Sequence, residues 1–300
     1  MSFKFKPAFI LYAILSFALS FGSGCGGADK PAESAQANDS LAKELADSIQ
    51  AFFQIPMPGE YYAHLKRLGL KSKPGLLNPV ANIASYTGSK EKAINFGIYS
   101  SDLFYSSNFD QKADVLKIFN NLRKLAEEMG IASVISENLL KRIEKNLANN
   151  DSLNSYANDV FFDASANLEK NGQGASLALM LAGGFIESIY ISTELAAGEK
   201  EGGAVYQYLA DQKFPLENLF HFLERHKNDS RVSEVITAMA PLKNAFEAIK
   251  AEPAKSSTNT NEKRTIGAGS TLILSSKQFK EIKEIATAIR TEFTSKSSSK

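Results

Sequence analysis

Two short patterns in this chain place an acidic side chain three residues before a tyrosine, Asp102 with Tyr105 and Glu187 with Tyr190. Three residues is close to one helical turn, so each pair shares a helix face. Both acids lie in stretches that are apolar nearly all round, which implies burial. A buried carboxylate must be paired or hydrogen-bonded, or it takes up a proton. This allows two readings. As chemistry, Asp102 and Glu187 form a polar pair lining a pocket with Tyr105, Tyr190 and Tyr99. As architecture, they hydrogen-bond one helix to another and fix the packing. The residue types favour the architectural reading.

The other residues capable of chemistry are few. The histidines are His64, His221 and His226. Glu217, His221 and Glu224 fall at i, i+4 and i+7, a spacing from which a helix can present metal ligands. A di-iron bundle needs Glu-x-x-His on two helices, however, and this chain has one His-x-x-Glu. Leu216, Leu219, Phe220 and Leu223 take the opposite stripe, so the polar three are expected on a solvated face. No nucleophile turn, phosphate-binding glycine loop, zinc-protease motif or calcium loop is found. Gly172 and Gly174 precede a helix but come after no strand, so they do not make a dinucleotide fingerprint. The sequence therefore assigns no cofactor, no metal and no catalytic residue. With a formal net charge of +1 and no arginine-rich or aromatic RNA-binding run, nucleic acid is not an expected partner.

Cys25 is the single cysteine, which rules out an internal disulfide and a cysteine-rich metal site. Lys4 and Lys6 precede a nearly wholly apolar run from Pro7 to Phe21, the anatomy of a secretory signal and short for a membrane span. Gly22-Ser23-Gly24-Cys25 comes next, and it resembles the lipobox of bacterial lipoproteins, with Gly22 where leucine is usual. The resemblance implies that residues 1–24 are a signal peptide and that Cys25 becomes a lipidated N-terminus. Two or three acyl chains would hold such a protein firmly at a membrane. Residues 25–40 are poor in large apolar side chains and read as a tether, able to span about 50 Å when extended. Asp29 stands four positions after Cys25. Aspartate at the second position would resemble an inner-membrane retention signal, so the outer membrane is the expected location.

The elements that must position these residues are helices. Hydrophobic residues make up 44% and charged residues 22% of the chain, a globular balance. Residues 41–300 read as one all-α domain, an irregular bundle of about nine to ten helices. A helix opening at Asn38-Asp39-Ser40 carries Leu41, Leu45, Ile49, Phe52 and Phe53. Further helices are expected over Tyr61–Leu68, Ser89–Asn108, Phe109–Met129, from a Ser136 cap to Leu147, and from Asp151 or Ser152 to Lys170. The run continues with Ala175–Leu195, Ala204–Ala210, Pro215–His226, Ser230–Lys250 and Lys277–Thr294. Residues 251–269 read as a flexible polar loop. Thr271–Leu274 alone looks like a strand, and the Ser/Lys tail as frayed.

Ala175–Leu195 approaches the length of a membrane span. Glu187 in its middle and Gly183-Gly184 make a central core helix the better expectation. The shared acid–tyrosine spacing, with glycines in both segments, also permits a pseudo-duplicated helical-hairpin arrangement.

Gly97 to Tyr105, Lys124 to Ile131 and Leu181 to Tyr190 together resemble a family of helical lipoproteins of Gram-negative bacteria, over roughly a third of the chain. The resemblance implies an all-helical fold and an envelope location, and brings no catalytic residue with it. The expected protein is a lipid-anchored binding or structural module. The alternatives are an envelope enzyme using Asp102 and Glu187 as acid and base, and a helical subunit of a larger envelope complex.

Overall fold

Four of the described helices begin at a side-chain cap. The computed structural model describes residues 58–253 and 270–295; the expected signal peptide, Cys25, the expected tether, the helix expected from residue 41, most of the expected polar loop and the C-terminal tail lie outside them. Ten helices are found among the described residues. They are α1 (Pro58–Arg67), α2 (Ser89–Asn108), α3 (Lys112–Glu128), α4 (Glu137–Lys145), α5 (Asn150–Lys170), α6 (Gly174–Leu195), α7 (Ala204–Ala210), α8 (Lys213–Arg225), α9 (Ser230–Glu247) and α10 (Ser276–Thr294). Single 3-10 turns at Val80–Ser85 and Ala132–Val134 complete the helical part. The expected all-α bundle is what forms.

Ser136 caps α4 as its position suggested, accepting a hydrogen bond from the Leu139 amide. Ahead of α5 the cap is Asn149, which accepts from the Ser152 amide, so the helix starts before the expected Asp151 or Ser152. Between α2 and α3 the chain reverses at Asp110, whose φ of 61° is left-handed. That reversal delays α3 to Lys112, three residues after the expected start. Gly130 and Gly172 end α3 and α5 with φ of 77° and 69°, where a side chain would be strained. Ser275 and Gln278 form a reciprocal capping box at the start of α10.

The strand-like run near residue 271 has a partner that periodicity did not reveal. Strand β1 (Lys250–Pro253) pairs antiparallel with β2 (Ser270–Ile273), with Lys250 opposite Ile273 and Ala251 opposite Leu272. The helix expected to run to Lys250 therefore stops at Glu247, and the residues expected to start a loop at 251 extend the strand.

The centre of the bundle is the α2–α6 pair. Every α2 residue from Ala93 to Asn108 is buried, and α6 is buried from Leu177 to Thr193 apart from Tyr190. Helices apolar on all sides have to be surrounded. Around α6 stand α2, α5, α8, α9 and α10, so the one described helix long and apolar enough to cross a membrane is the core helix. The pair meets backbone to backbone. A methyl group on Gly97 would lie 1.9 Å from the Met180 carbonyl oxygen, and one on Gly183 would lie 2.0 Å from that of Ile94. Glycine is required there because no Cβ fits. The expected duplication is limited to these two helices, and the helices after them differ. α3 returns against α2 as a hairpin, whereas α7, the helix after α6, packs on β2.

Candidate functional site

The close crossing of α2 and α6 decides which polar side chains meet. Ser101 Oγ and Ser188 Oγ lie 3.0 Å apart across it, and Ser188 also donates to the Gly184 carbonyl at 2.8 Å. From α1, the Tyr62 hydroxyl reaches Ser101 Oγ at 2.7 Å and the Tyr61 hydroxyl donates to Ser192 Oγ at 2.7 Å. These contacts bolt α1 across both central helices.

Beside the serines, the crossing brings Asp102 and Glu187 together, each with no solvent exposure. Their counter-charge comes from the far end of the sequence. Arg290 of α10 donates from Nε to Glu187 Oε2 at 3.0 Å and from Nη2 to Glu187 Oε1 at 3.1 Å. This two-pronged geometry suits a guanidinium–carboxylate pair. Nη2 also donates to the Leu76 carbonyl at 3.1 Å. The guanidinium carbon sits 4.6 Å from the centre of the Tyr190 ring, a cation–π contact.

Asp102 is held differently. Its Oδ2 accepts from the Asn78 amide at 3.0 Å, while its Oδ1 is buried and receives no donor. Burial pushes the Asp102 carboxyl well above the carboxylate range, and the charge of Glu187 adds to the rise against the pull of Arg290. Burial also raises Glu187, but Arg290 and a hydrogen bond from Asp102 oppose it. Of the two, Asp102 is the carboxyl that both burial and its neighbour's charge push toward the neutral form. Burial works against Arg290, yet Glu187 outweighs it and keeps the guanidinium charged.

One irregular segment covers the pair. Leu70–Pro79, here termed the strap, exposes Lys71 to Gly75 and buries Leu76 and Asn78 on its underside. Tyr105 accepts from the Lys73 amide at 2.9 Å and donates to the Lys73 carbonyl at 3.2 Å. Tyr99 donates to the Pro79 carbonyl at 3.0 Å. The Asn78 side chain joins Tyr86 at 3.0 Å and Asn95 at 3.2 Å. At the outer edge Glu194 bridges Lys73 at 2.7 Å and Lys283 at 3.1 Å. Burial would raise Glu194, but those two lysines outweigh it and hold the carboxyl below its usual range. An open groove of about 750 Å³ runs outside the strap, between Pro74, Leu77 and Asn78 on one wall and Ile118 of α3 on the other.

Of the five residues expected to line a pocket, Asp102 and Glu187 meet directly. Tyr190 joins them through Arg290, and Tyr99 and Tyr105 turn to the strap backbone instead. Sequence reasoning missed Arg290 and Asn78. Arg290 had a readable signal, since it stands four and eight residues after Ala286 and Ile282 and so lies on the apolar stripe of α10. Asn78 had none, because its part in the cluster depends on a loop path. The histidines do not converge. His64 stacks on Tyr208 at 4.2 Å, His226 lies 5.1 Å from Phe222, and His221 and Glu224 point outward on α8.

The chain matches no known protein family, no characterised protein and no solved structure in comparison with each.

Proposed function

We propose that this chain is a lipid-anchored protein of the bacterial cell envelope that works as a rigid helical binding or structural module. The anchor rests on the order of residues at the N-terminus: Lys4 and Lys6, the apolar run Pro7–Phe21, then Gly22-Ser23-Gly24-Cys25. The likeness to Gram-negative helical lipoproteins supports an envelope location, and Gly26 rather than aspartate directly after Cys25 favours the outer membrane. The module reading is carried by one observation, the complete burial of Asp102 and Glu187. A general acid or base has to come within hydrogen-bond reach of its substrate. Here Glu187 is committed to Arg290, and Asp102 is covered by the strap. That favours a packing role over the envelope-enzyme alternative.

The anchor is tested on protein expressed with its own leader in a Gram-negative host. Mass spectrometry should find a mature N-terminus at Cys25 carrying diacylglyceryl mass, and Cys25→Ser should move the protein from the membrane to the soluble fraction. An unmodified N-terminus at another residue would remove the anchor from the proposal. Partners are sought by co-purification of the anchored protein from native membranes.

A further inference from the structure

Asp102 and Glu187 lie side by side in a sealed core with a single guanidinium acting on both. Were both ionised, the cluster would carry a net negative charge with no water to solvate it, which a protein interior resists strongly. The geometry places the missing proton. Both Glu187 oxygens accept from Arg290, so Glu187 is the carboxylate. Asp102 Oδ2 accepts from the Asn78 amide, which leaves Oδ1 as the oxygen with no donor and an acceptor beside it.

The same two side chains fasten two separate pieces of the molecule. Asp102 holds the strap at Asn78. Through Arg290, Glu187 holds the strap at Leu76 and the whole of α10. We propose that one proton, on Asp102 Oδ1 and shared with Glu187, latches the strap to the α2–α6 pair, so that opening of the strap is coupled to loss of that proton. The strap is the part that gives way. α2 and α6 cannot part without breaking their glycine contact, whereas the strap is a single irregular peptide layer whose outer face is already in water. Lifting it brings water to Asp102 and leaves Glu187 with Arg290.

Other groups around Asp102 do not compete for the role. α1 presents Tyr62, α2 itself Tyr99 and Tyr105, and the segment after the 3-10 turn Tyr86. α6 adds Tyr190 and Glu194, and α10 adds Arg290 and Lys283. Burial raises every one of these tyrosines, so they stay neutral. Glu194 is ionised between Lys73 and Lys283. From α3 the uncharged Asn121 donates to the Val80 carbonyl, and from α5 the uncharged Asn154 accepts from Asn108.

The sign is fixed by linkage. Asp102 binds its proton more tightly with the strap closed than with it open, so the latch is complete below the ordinary carboxylate pKa. It weakens as pH rises toward the raised value, and opening grows roughly tenfold per pH unit across that window. The test is hydrogen–deuterium exchange of residues 70–79 in the full chain, comparing wild type with Asp102→Asn at each pH, which cancels the intrinsic exchange rate. Asparagine keeps the acceptor for Asn78 and supplies a permanent donor toward Glu187. The ratio of strap exchange, wild type to D102N, should rise with pH above the ordinary carboxylate pKa, by up to roughly tenfold per unit. At pH 7 D102N should unfold no more readily than wild type. Glu187→Gln, which leaves Arg290 buried without its anion, should raise the unfolding constant about a hundredfold or more. A pH-independent exchange ratio would overturn the latch. A D102N protein less stable than wild type, or unable to fold, would place the proton elsewhere and overturn it equally.

Discussion

Adding one methyl group at Gly97 tests whether the bundle is organised around direct backbone contact. In Gly97→Ala the new Cβ would sit 1.9 Å from the Met180 oxygen and 2.7 Å from the Gly184 nitrogen. Ordinary carbon contacts lie at about 3.5–4.0 Å, so the axes of α2 and α6 must move apart by more than an ångström. The obstacles are backbone atoms, which have no rotamer to escape into. Overpacking of this kind costs about 1–3 kcal/mol and occasionally more. Alanine returns about 1 kcal/mol through its helix propensity. With backbone on both sides the upper end of the packing cost applies, so Gly97→Ala is expected to lose at least about 2 kcal/mol. Gly183→Ala, 2.0 Å from the Ile94 oxygen, should behave alike. Gly184→Ala is the internal control. Its Cβ would meet the Gly97 oxygen at 3.3 Å, a shift of tenths of an ångström. Its net effect should stay within about 1 kcal/mol. Urea unfolding followed by far-ultraviolet circular dichroism measures all three, with the midpoint moving and the slope unchanged. Equal stabilities for G97A and G184A would refute the reasoning.

Three further outcomes are expected. Arg290→Met leaves the Glu187 carboxylate buried without a cation and should cost about 3–5 kcal/mol; the double variant E187L/R290M should recover most of that loss in the same unfolding assay. Ser275→Ala removes the capping box of α10 and should cost about 1 kcal/mol, read as a lower melting temperature with no change in helical content beyond the ends of α10. Tyr105→Phe removes the hydroxyl that accepts from the Lys73 amide and donates to its carbonyl. It should raise amide exchange in residues 70–79 several-fold while exchange in α6 is unchanged, and equal exchange in both segments would show that Tyr105 does not hold the strap.

Much of this protein is legible along the chain, because local chemistry suffices for it. Helical periodicity and the Ser136 cap place most helices within a few residues, since both act over one or two turns. All-round apolarity marks α2 and α6 as core, and the acid buried in each is implied by the same pattern. Glu217, His221 and Glu224 could be set on an outward face for the same local reason. The leader and the anchor proposed at Cys25 rest on order and composition alone, and the described residues do not include them.

Tertiary structure decided what those buried acids meet. No spacing within α2 or α6 shows that Asp102 meets Glu187, because the meeting depends on Gly97 and Gly183 letting two backbones touch across some 85 intervening residues. Arg290 arrives from a helix about 100 positions further on, and Asn78 from a loop whose path is fixed by Tyr99, Tyr105 and Asp102 themselves. β1 is legible only once β2 lies beside it, since a strand's hydrogen bonds belong to its neighbour. Periodicity reports which face is buried, and the identity of the group waiting on the other side comes from packing. For the two carboxylates that distinction matters most, because their surroundings are each other and one arginine from a third helix.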